Sequence, residues 1–231
     1  MRDCIMVVGS GMMGSGIGAM SALAGNRTIL VDVDEAHVRS GMEKAMACID
    51  LRVGNGLNTA EEAEEAKKRM ETSIDMLKAA ASARMVIEAV VEQLEVKQAL
   101  FAKLDEVLPV EVPICSNTSG LRITDISGTC KKPERTVTTH FWLPAHLVPL
   151  VEVVMGEKTE RVVAEGVRDE LKKWKKSPVL VQRDLPGWQT VCSRPLSGNR
   201  LPLSPPVWPA LRMWIRQSAV GWQCGFRSGG H

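Results

Sequence analysis

Three glycines near the start of the chain constrain its fold more than any other feature. Gly9, Gly11 and Gly14 form the pattern Gly-x-Gly-x-x-Gly. The apolar run before them, Cys4 to Val8, predicts a buried strand, and the small and apolar residues from Met12 to Ala24 predict a helix. A strand, a glycine turn and a helix in this order predict a βαβ unit of the Rossmann type, which binds dinucleotides.

Each glycine has its own physical reason in such a turn. Gly9 allows the tight bend, Gly11 has no Cβ to obstruct a pyrophosphate, and Gly14 allows the helix to approach the strand. The first free N–H groups of the helix, around Met12 and Met13, then face the negative charge of the ligand. We therefore expect these five residues to contact the cofactor.

The expected cofactor is NAD. A second strand is predicted from Thr28 to Val33, and it contains Asp32, 18 residues after Gly14. A carboxylate at this point can accept hydrogen bonds from the adenosine ribose. Asp34 follows and no arginine is adjacent, so the two acids would repel the 2′-phosphate of NADP.

The remaining pattern predicts an α/β fold, a Rossmann doubly wound sheet with an inserted helical hairpin. Two long charged helices, Glu35 to Val53 and Thr59 to Thr72, form the hairpin around a turn at residues 54–56, and another helix is predicted from Val96 to Val107. Five further strands are predicted at Met85 to Ala89, Val112 to Ser116, Thr136 to Phe141, Leu150 to Val154 and Val179 to Gln182.

The composition favours a small-molecule substrate. The formal net charge of +2 is too small for a nucleic-acid or anionic membrane surface. The six cysteines are scattered, without a CxxC pair or a histidine at metal-ligand spacing, so we expect no metal and a reducing compartment, the cytoplasm. No apolar run approaches the roughly 20 residues of a membrane span, and the early strand leaves no room for a signal peptide.

The composition changes abruptly near Gly187. From Trp188 onward there is no aspartate, glutamate or lysine, whereas proline, tryptophan, arginine and glycine are frequent. We therefore expect an NAD-binding domain at residues 1–186 and an aberrant, disordered tail at residues 187–231. A GC-rich gene read out of frame tends to give this composition, so the hypothesis is a frameshift near Gly187.

Several segments together resemble the 3-hydroxyacyl-CoA dehydrogenase family, including its relatives that oxidise free 3-hydroxy acids. After the glycines they are VIEAVVE (86–92) with Lys97, SNTSGL (116–121), IT (123–124), HF (140–141), LVEV (150–153) and DLPG (184–187). The resemblance implies oxidation of a 3-hydroxyl group to a ketone. It also implies a C-terminal helical domain that forms a homodimer, which would be largely missing from this chain.

The resemblance assigns roles to individual residues. His140 corresponds to the general base that takes the hydroxyl proton, and Glu152 to the carboxylate that orients it. Ser119 would hydrogen-bond the reacting oxygen, while Glu92 and Lys97 would contact the cofactor.

From the residues alone, it stays open whether His140 and Glu152 form a functional pair. A lone histidine at the end of a strand is more often structural, and Glu152 is equally consistent with an exposed strand position. A turn with Pro144 and Pro149 would let the two strands lie side by side. His37 and His146 are expected to be surface residues.

Departures from the family bear on the substrate. Leu143 and Val191 stand where the family has asparagines for the cofactor and the substrate oxygen. The positions that would contact CoA are occupied by Cys48 and Asn55, with Lys44 and Arg52 as replacements nearby. The substrate is predicted to be a 3-hydroxyacyl-CoA, such as 3-hydroxybutyryl-CoA. The alternatives are a free 3-hydroxy acid of the gulonate or carnitine type, or NAD binding without turnover.

Overall fold

The structure, a computed structural model, describes residues 2–181. The strands in this part of the chain are β1 Cys4–Val8, β2 Arg27–Val31, β3 Met70–Ser73, β4 Ala83–Glu88, β5 Ile114–Ser116, β6 Thr136–Phe141, β7 Leu150–Met155 and β8 Ser177–Val181. They form one sheet in the order β3-β2-β1-β4-β5-β6-β7-β8. Neighbouring strands are parallel except β6 and β7, which run antiparallel.

Helices cover both faces of this sheet. They are α1 Met12–Leu23, α2 Glu35–Gly54, α3 Ala60–Lys68, α4 Met76–Ala80, α5 Leu94–Val107, α6 Ile123–Ile126 and α7 Arg161–Lys173. Successive side chains of β1 alternate between the two layers, with Ile5 and Val7 facing one layer and Met6 facing the other. The first layer contains α1, α2, α3 and α7, and the second contains α4, α5 and α6. This is the doubly wound arrangement that the sequence predicts.

Most of the predicted elements are confirmed. β1 and β6 have the predicted bounds, and the other predicted strands, α1, α2 and α5 differ by one or two residues at one or both ends. The predicted helix from Thr59 to Thr72 is wrong in its second half. It ends at Lys68 because Met70–Ser73 pairs with β2 as β3, and Met70 packs in the core. The hairpin of α2 and α3 is therefore the crossover between β2 and β3.

Some predictions fall outside residues 2–181. The tail at residues 187–231, the matching segment at 184–187 and Val191 all lie there, so these stay predictions. The homodimer, which the resemblance implies through a helical domain largely missing from this chain, also stays a prediction. Among the helices that the structure describes, none is long and apolar enough to cross a membrane.

Candidate active site

The order of the strands reverses beside β1, and this point positions the candidate site. β1 lies between β2 and β4, so the loops that follow β1 and β4 leave the sheet in opposite directions. In open parallel sheets, ligands bind in the crevice that this divergence opens at the carboxyl ends of the strands. The glycine motif follows β1 and residues 89–93 follow β4, so both border the crevice.

The glycine loop has the geometry that its sequence predicts. Gly9 has a φ of 93°, and a Cβ there would lie 2.6 Å from the Ala89 carbonyl oxygen. A Cβ on Gly14 would lie 1.7 Å from the carbonyl oxygen of Gly9. At Gly11, by contrast, a Cβ would meet no atom within 4 Å, so it would project into open space at the start of α1. The loop therefore fits a pyrophosphate at Gly11 and close backbone packing at the other two glycines.

Asp32 holds the glycine loop in place. Its Oδ2 accepts hydrogen bonds from Ser10 N at 2.6 Å and from Ser10 Oγ at 2.7 Å, and its Oδ1 accepts one from Val33 N at 2.8 Å. Burial acts to raise the pKa of Asp32, but the hydrogen bonds from Ser10 and Val33 outweigh it and lower that pKa. Asp32 is therefore a carboxylate at neutral pH with acceptor capacity remaining for a ribose. Ser10 was not predicted, because the motif accepts any residue there.

His140 and Glu152 form a buried pair. They are directly opposite each other in the antiparallel ladder of β6 and β7, as expected if the turn brings the strands side by side. His140 Nδ1 lies 2.8 Å from Glu152 Oε2, and the two residues are only 7% and 4% exposed. Ser119 Oγ lies 3.2 Å from the other ring nitrogen, Nε2. With Nδ1–H donating to the carboxylate, Nε2 carries the lone pair and accepts from Ser119.

Glu92 and Lys97 lie beside this pair, at different depths. The Lys97 side chain is 1% exposed, and its Nζ lies 2.5 Å from Glu88 Oε1 and 3.3 Å from Glu92 Oε2. The Glu92 side chain is 43% exposed. The Lys97 ammonium is therefore buried between two carboxylates, whereas Glu92 is partly exposed at the crevice.

The loop between β6 and β7 is held by two buried basic side chains. Arg52 Nη1 donates to the carbonyl of His146 at 2.5 Å, and Lys176 Nζ donates to the carbonyls of Ala145 and Val148 at 2.5 and 2.8 Å. Arg52 is therefore not free to contact CoA, while Lys44 is exposed on α2. His146 is half-buried and not the surface residue expected, whereas His37 is exposed as predicted.

Large apolar side chains are exposed at the carboxyl edge of the sheet. Met12, Val33, Val91 and Leu143 follow β1, β2, β4 and β6 respectively, and each is more than half exposed. Apolar surfaces of this kind suit the flat faces of the bases in a dinucleotide. Within residues 2–181, no group of three or more histidine, cysteine, aspartate or glutamate side chains is placed to hold a metal ion.

Residues 4–185 match the family described as 3-hydroxyacyl-CoA dehydrogenase, NAD binding domain. The chain belongs to this family. The cofactor of the 3-hydroxyacyl-CoA dehydrogenase domain is NAD, in agreement with the glycine motif and Asp32.

Known members of the 3-hydroxyacyl-CoA dehydrogenase family agree in sequence and in fold. The 3-hydroxyadipyl-CoA dehydrogenase of Escherichia coli K12 is 40% identical over 175 residues, which are 76% of this chain and 37% of the relative. The crystal structure of 3-hydroxybutyryl-CoA dehydrogenase from Escherichia coli K12 has a TM-score of 0.76 and 38% identity, covering 81% of this chain and 39% of that one. FadB2 of M. tuberculosis has a TM-score of 0.76 and 31% identity, covering 82% and 66%.

The chain spans only part of these relatives. It covers 37% of the Escherichia coli dehydrogenase and 24% of the peroxisomal multifunctional protein MFP2 of Arabidopsis thaliana, which is 34% identical. The family is therefore established from the NAD-binding domain, whereas activity, substrate and assembly depend on more than the described residues.

Proposed function

We propose that this chain uses NAD to oxidise the 3-hydroxyl group of a 3-hydroxyacyl-CoA, such as 3-hydroxybutyryl-CoA, to a ketone. One observation carries the proposal. His140 stands between Glu152 and Ser119 at the same edge of the sheet as the glycine loop, with its two ring nitrogens bonded to different partners. This arrangement provides a proton acceptor and its orienting carboxylate beside a dinucleotide site.

The residues that would hold NAD form the border of the crevice. Gly11 leaves space for the pyrophosphate, the amides of Met12 and Met13 at the start of α1 face it, and Asp32 accepts hydrogen bonds from the ribose. Gly9 and Gly14 keep the loop close to its neighbours. Bound NAD supplies the acceptor for the hydride that leaves carbon 3 of the substrate.

His140 takes the proton in this proposal. Nε2 accepts the proton of the 3-hydroxyl group as the carbon–oxygen double bond forms, and Glu152 stabilises the resulting imidazolium through Nδ1–H. Ser119 Oγ, which lies 3.2 Å from Nε2, turns its hydrogen to the reacting oxygen when the substrate binds, so that the lone pair of Nε2 is open to the hydroxyl proton. The balance is one proton to His140 and one hydride to the cofactor.

A CoA thioester is favoured over a free acid by the relatives. Two relatives, at 40% and 38% identity, are named as dehydrogenases of 3-hydroxyadipyl-CoA and 3-hydroxybutyryl-CoA. Lys44 remains exposed on α2 as a contact for CoA, whereas Arg52 is bonded inside the fold.

The described cysteines, Cys4, Cys48, Cys115 and Cys130, are free thiols, which supports a cytoplasmic location.

The test is a titration of the purified full chain with NADH, followed by fluorescence. Acetoacetyl-CoA or acetoacetate is then added, and the loss of NADH is recorded. We expect binding of NADH and faster oxidation with acetoacetyl-CoA. Faster oxidation with acetoacetate would replace the thioester by a free acid as substrate. Binding without turnover on either compound would refute the proposed activity for this chain, and absence of binding would also refute the cofactor assignment.

Two variants test the roles of the pair. His140→Gln should lower turnover by about 100-fold or more, because the proton acceptor is lost, and should leave the dissociation constant of NADH within about twofold. Glu152→Gln should lower turnover by at least about tenfold, because an amide can donate to Nδ1 and favour the wrong tautomer. The matched control is His37→Gln, an exposed histidine on α2. The assignment would be contradicted if both variants kept full turnover, or if only the control lost it.

A further inference from the structure

A network of charged and hydroxyl groups connects the interior of the domain to Ser119. It begins at Glu88, the last residue of β4, which is completely buried. Glu88 Oε1 accepts a hydrogen bond from Lys97 Nζ at 2.5 Å, and Glu88 Oε2 accepts one from Ser116 Oγ at 2.6 Å. Ser116 Oγ accepts in turn from Thr118 N at 3.2 Å. The Glu88 carboxylate therefore bonds both α5, through Lys97, and the end of β5, through Ser116.

Glu92 bonds the loop that carries Ser119. Its Oε1 accepts hydrogen bonds from Ser119 N at 2.8 Å, from Gly120 N at 2.9 Å and from Thr118 Oγ1 at 2.5 Å. Its Oε2 lies 3.3 Å from Lys97 Nζ. Burial acts to raise the pKa of Glu92, but the hydrogen bonds and the positive charge of Lys97 lower it, so the group is ionised at neutral pH.

The same loop is also fixed to the strand of His140. Asn117 Oδ1 accepts a hydrogen bond from Phe141 N at 2.9 Å, and Asn117 N donates to the carbonyl of Glu88 at 2.7 Å. Residues 116–120 are thus bonded to β4, to Glu92 in the loop that follows β4, and to β6. Ser119 is the member of this loop whose hydroxyl reaches His140 Nε2.

We infer that Glu92 and Lys97 are positioning residues, which hold the loop at 118–120 so that Ser119 Oγ stays within hydrogen-bond reach of His140 Nε2. The inference rests on the proposed roles of Ser119 and His140, and it adds how their distance is set. Lys97 acts from the interior by neutralising and orienting both carboxylates. Glu92 acts by accepting hydrogen bonds from the backbone N–H groups of Ser119 and Gly120, which flank the Ser119 side chain.

Three variants test whether these side chains hold the loop. Glu92→Ala removes the acceptor for the loop, Glu92→Gln keeps an acceptor oxygen but removes the charge that pairs with Lys97, and Lys97→Met removes the ammonium while keeping the aliphatic stem. The control is Glu95→Ala, an exposed acid in the first turn of α5. The full chain without NAD is used for all structural measurements.

The primary readouts do not require turnover. Amide hydrogen exchange is measured at Ser119 and Gly120, and the ring nitrogens of His140 are observed by NMR, with Ser119→Ala as the reference for a lost hydrogen bond to Nε2. We expect Glu92→Ala to accelerate exchange at both amides by about 100-fold and to move the Nε2 signal towards that of Ser119→Ala. Glu92→Gln should show a smaller effect of the same kind, and Glu95→Ala none.

Kinetics provide the second readout. For Glu92→Ala and Lys97→Met, kcat with acetoacetyl-CoA should fall about 10- to 100-fold at saturating NADH, a condition under which weaker binding of the cofactor does not enter the comparison. Unchanged exchange and an unchanged Nε2 signal in Glu92→Ala would overturn the inference. If the unaltered chain lacks turnover, the proposed activity fails but the exchange and NMR results still decide the positioning role. If Lys97→Met does not fold, Glu92→Gln decides it.

Discussion

Replacing Lys176 by methionine should remove a rise in stability between pH 7 and pH 9. Lys176 is only 6% exposed, and its Nζ donates to the carbonyls of Ala145 and Val148 and lies 5.9 Å from the ring centre of Phe141. Burial, with a smaller contribution from the positive charge of Arg52, lowers the pKa of this ammonium from 10.5 to about 7.

The direction of the effect follows from proton binding. Between pH 7 and pH 10.5 the folded protein binds fewer protons at Lys176 than the unfolded chain, so stability rises with pH across that interval. The penalty of a charged buried lysine is present in full below pH 7 and is relieved as the pH increases. One proton corresponds to about 1.4 kcal/mol per pH unit. Integrated from pH 7 to pH 9, the free energy of unfolding gains about 2 kcal/mol from this group.

The assay is urea unfolding of the full chain at pH 7, 8 and 9. The comparison includes the unaltered protein, Lys176→Met and the control Lys158→Met, which removes an exposed lysine. Methionine keeps the aliphatic stem, so its loss of two hydrogen bonds shifts stability by an amount that does not depend on pH. We expect the unaltered protein and the control to gain about 2 kcal/mol relative to Lys176→Met. Parallel stabilities at all three pH values would refute the reasoning.

Two further predictions concern the cofactor loop. Gly14→Ala places a Cβ 1.7 Å from the Gly9 carbonyl oxygen and should lower the free energy of unfolding by about 3 kcal/mol, whereas Gly11→Ala meets no atom within 4 Å and should leave a thermal melt unchanged. Gly11→Ala should instead raise the dissociation constant of NADH at least about tenfold in a fluorescence titration. Equal melts for the two variants would contradict the stability prediction, and an unchanged dissociation constant would contradict the binding prediction. Asp32→Asn should also raise that constant about tenfold, because a hydrogen bond to a charged acceptor contributes roughly 1.5–3 kcal/mol, and an unchanged constant would place the ribose elsewhere.

The sequence predicts the fold well where one local rule acts alone. The five apolar residues of β1 and the following glycines leave only one interpretation, and β1 has the predicted bounds. The strand β3 is lost from the prediction because charged helical sequence continues up to Arg69, and a strand of four residues gives little alternation. The prediction also lacks α7, although its buried Ala164, Val167 and Leu171 recur at helical spacing.

The candidate site was predictable in its residues more than in its contacts. A turn with prolines allows His140 and Glu152 to lie side by side, but the residues alone left this pair open, and it is the ladder of β6 and β7 that brings them together. The buried ion pair of Lys97 and Glu88 was not predicted, because nine residues separate them and the pairing depends on how α5 returns to the end of β4. Likewise, no local pattern indicates that Arg52 would turn inward to the carbonyl of His146.

The pairing of β6 with β7 has a consequence for how this domain can diversify. Backbone hydrogen bonds of the ladder place His140 opposite Glu152, so their distance does not depend on the length of the connection at residues 142–149. Insertions or deletions in that connection would leave the pair intact as long as the register is kept. A slip of one residue, by contrast, would turn every side chain of β7 to the other face of the sheet. Evolution, or an engineer, can therefore vary the connection to accommodate new substrates while the proton acceptor and its carboxylate stay together.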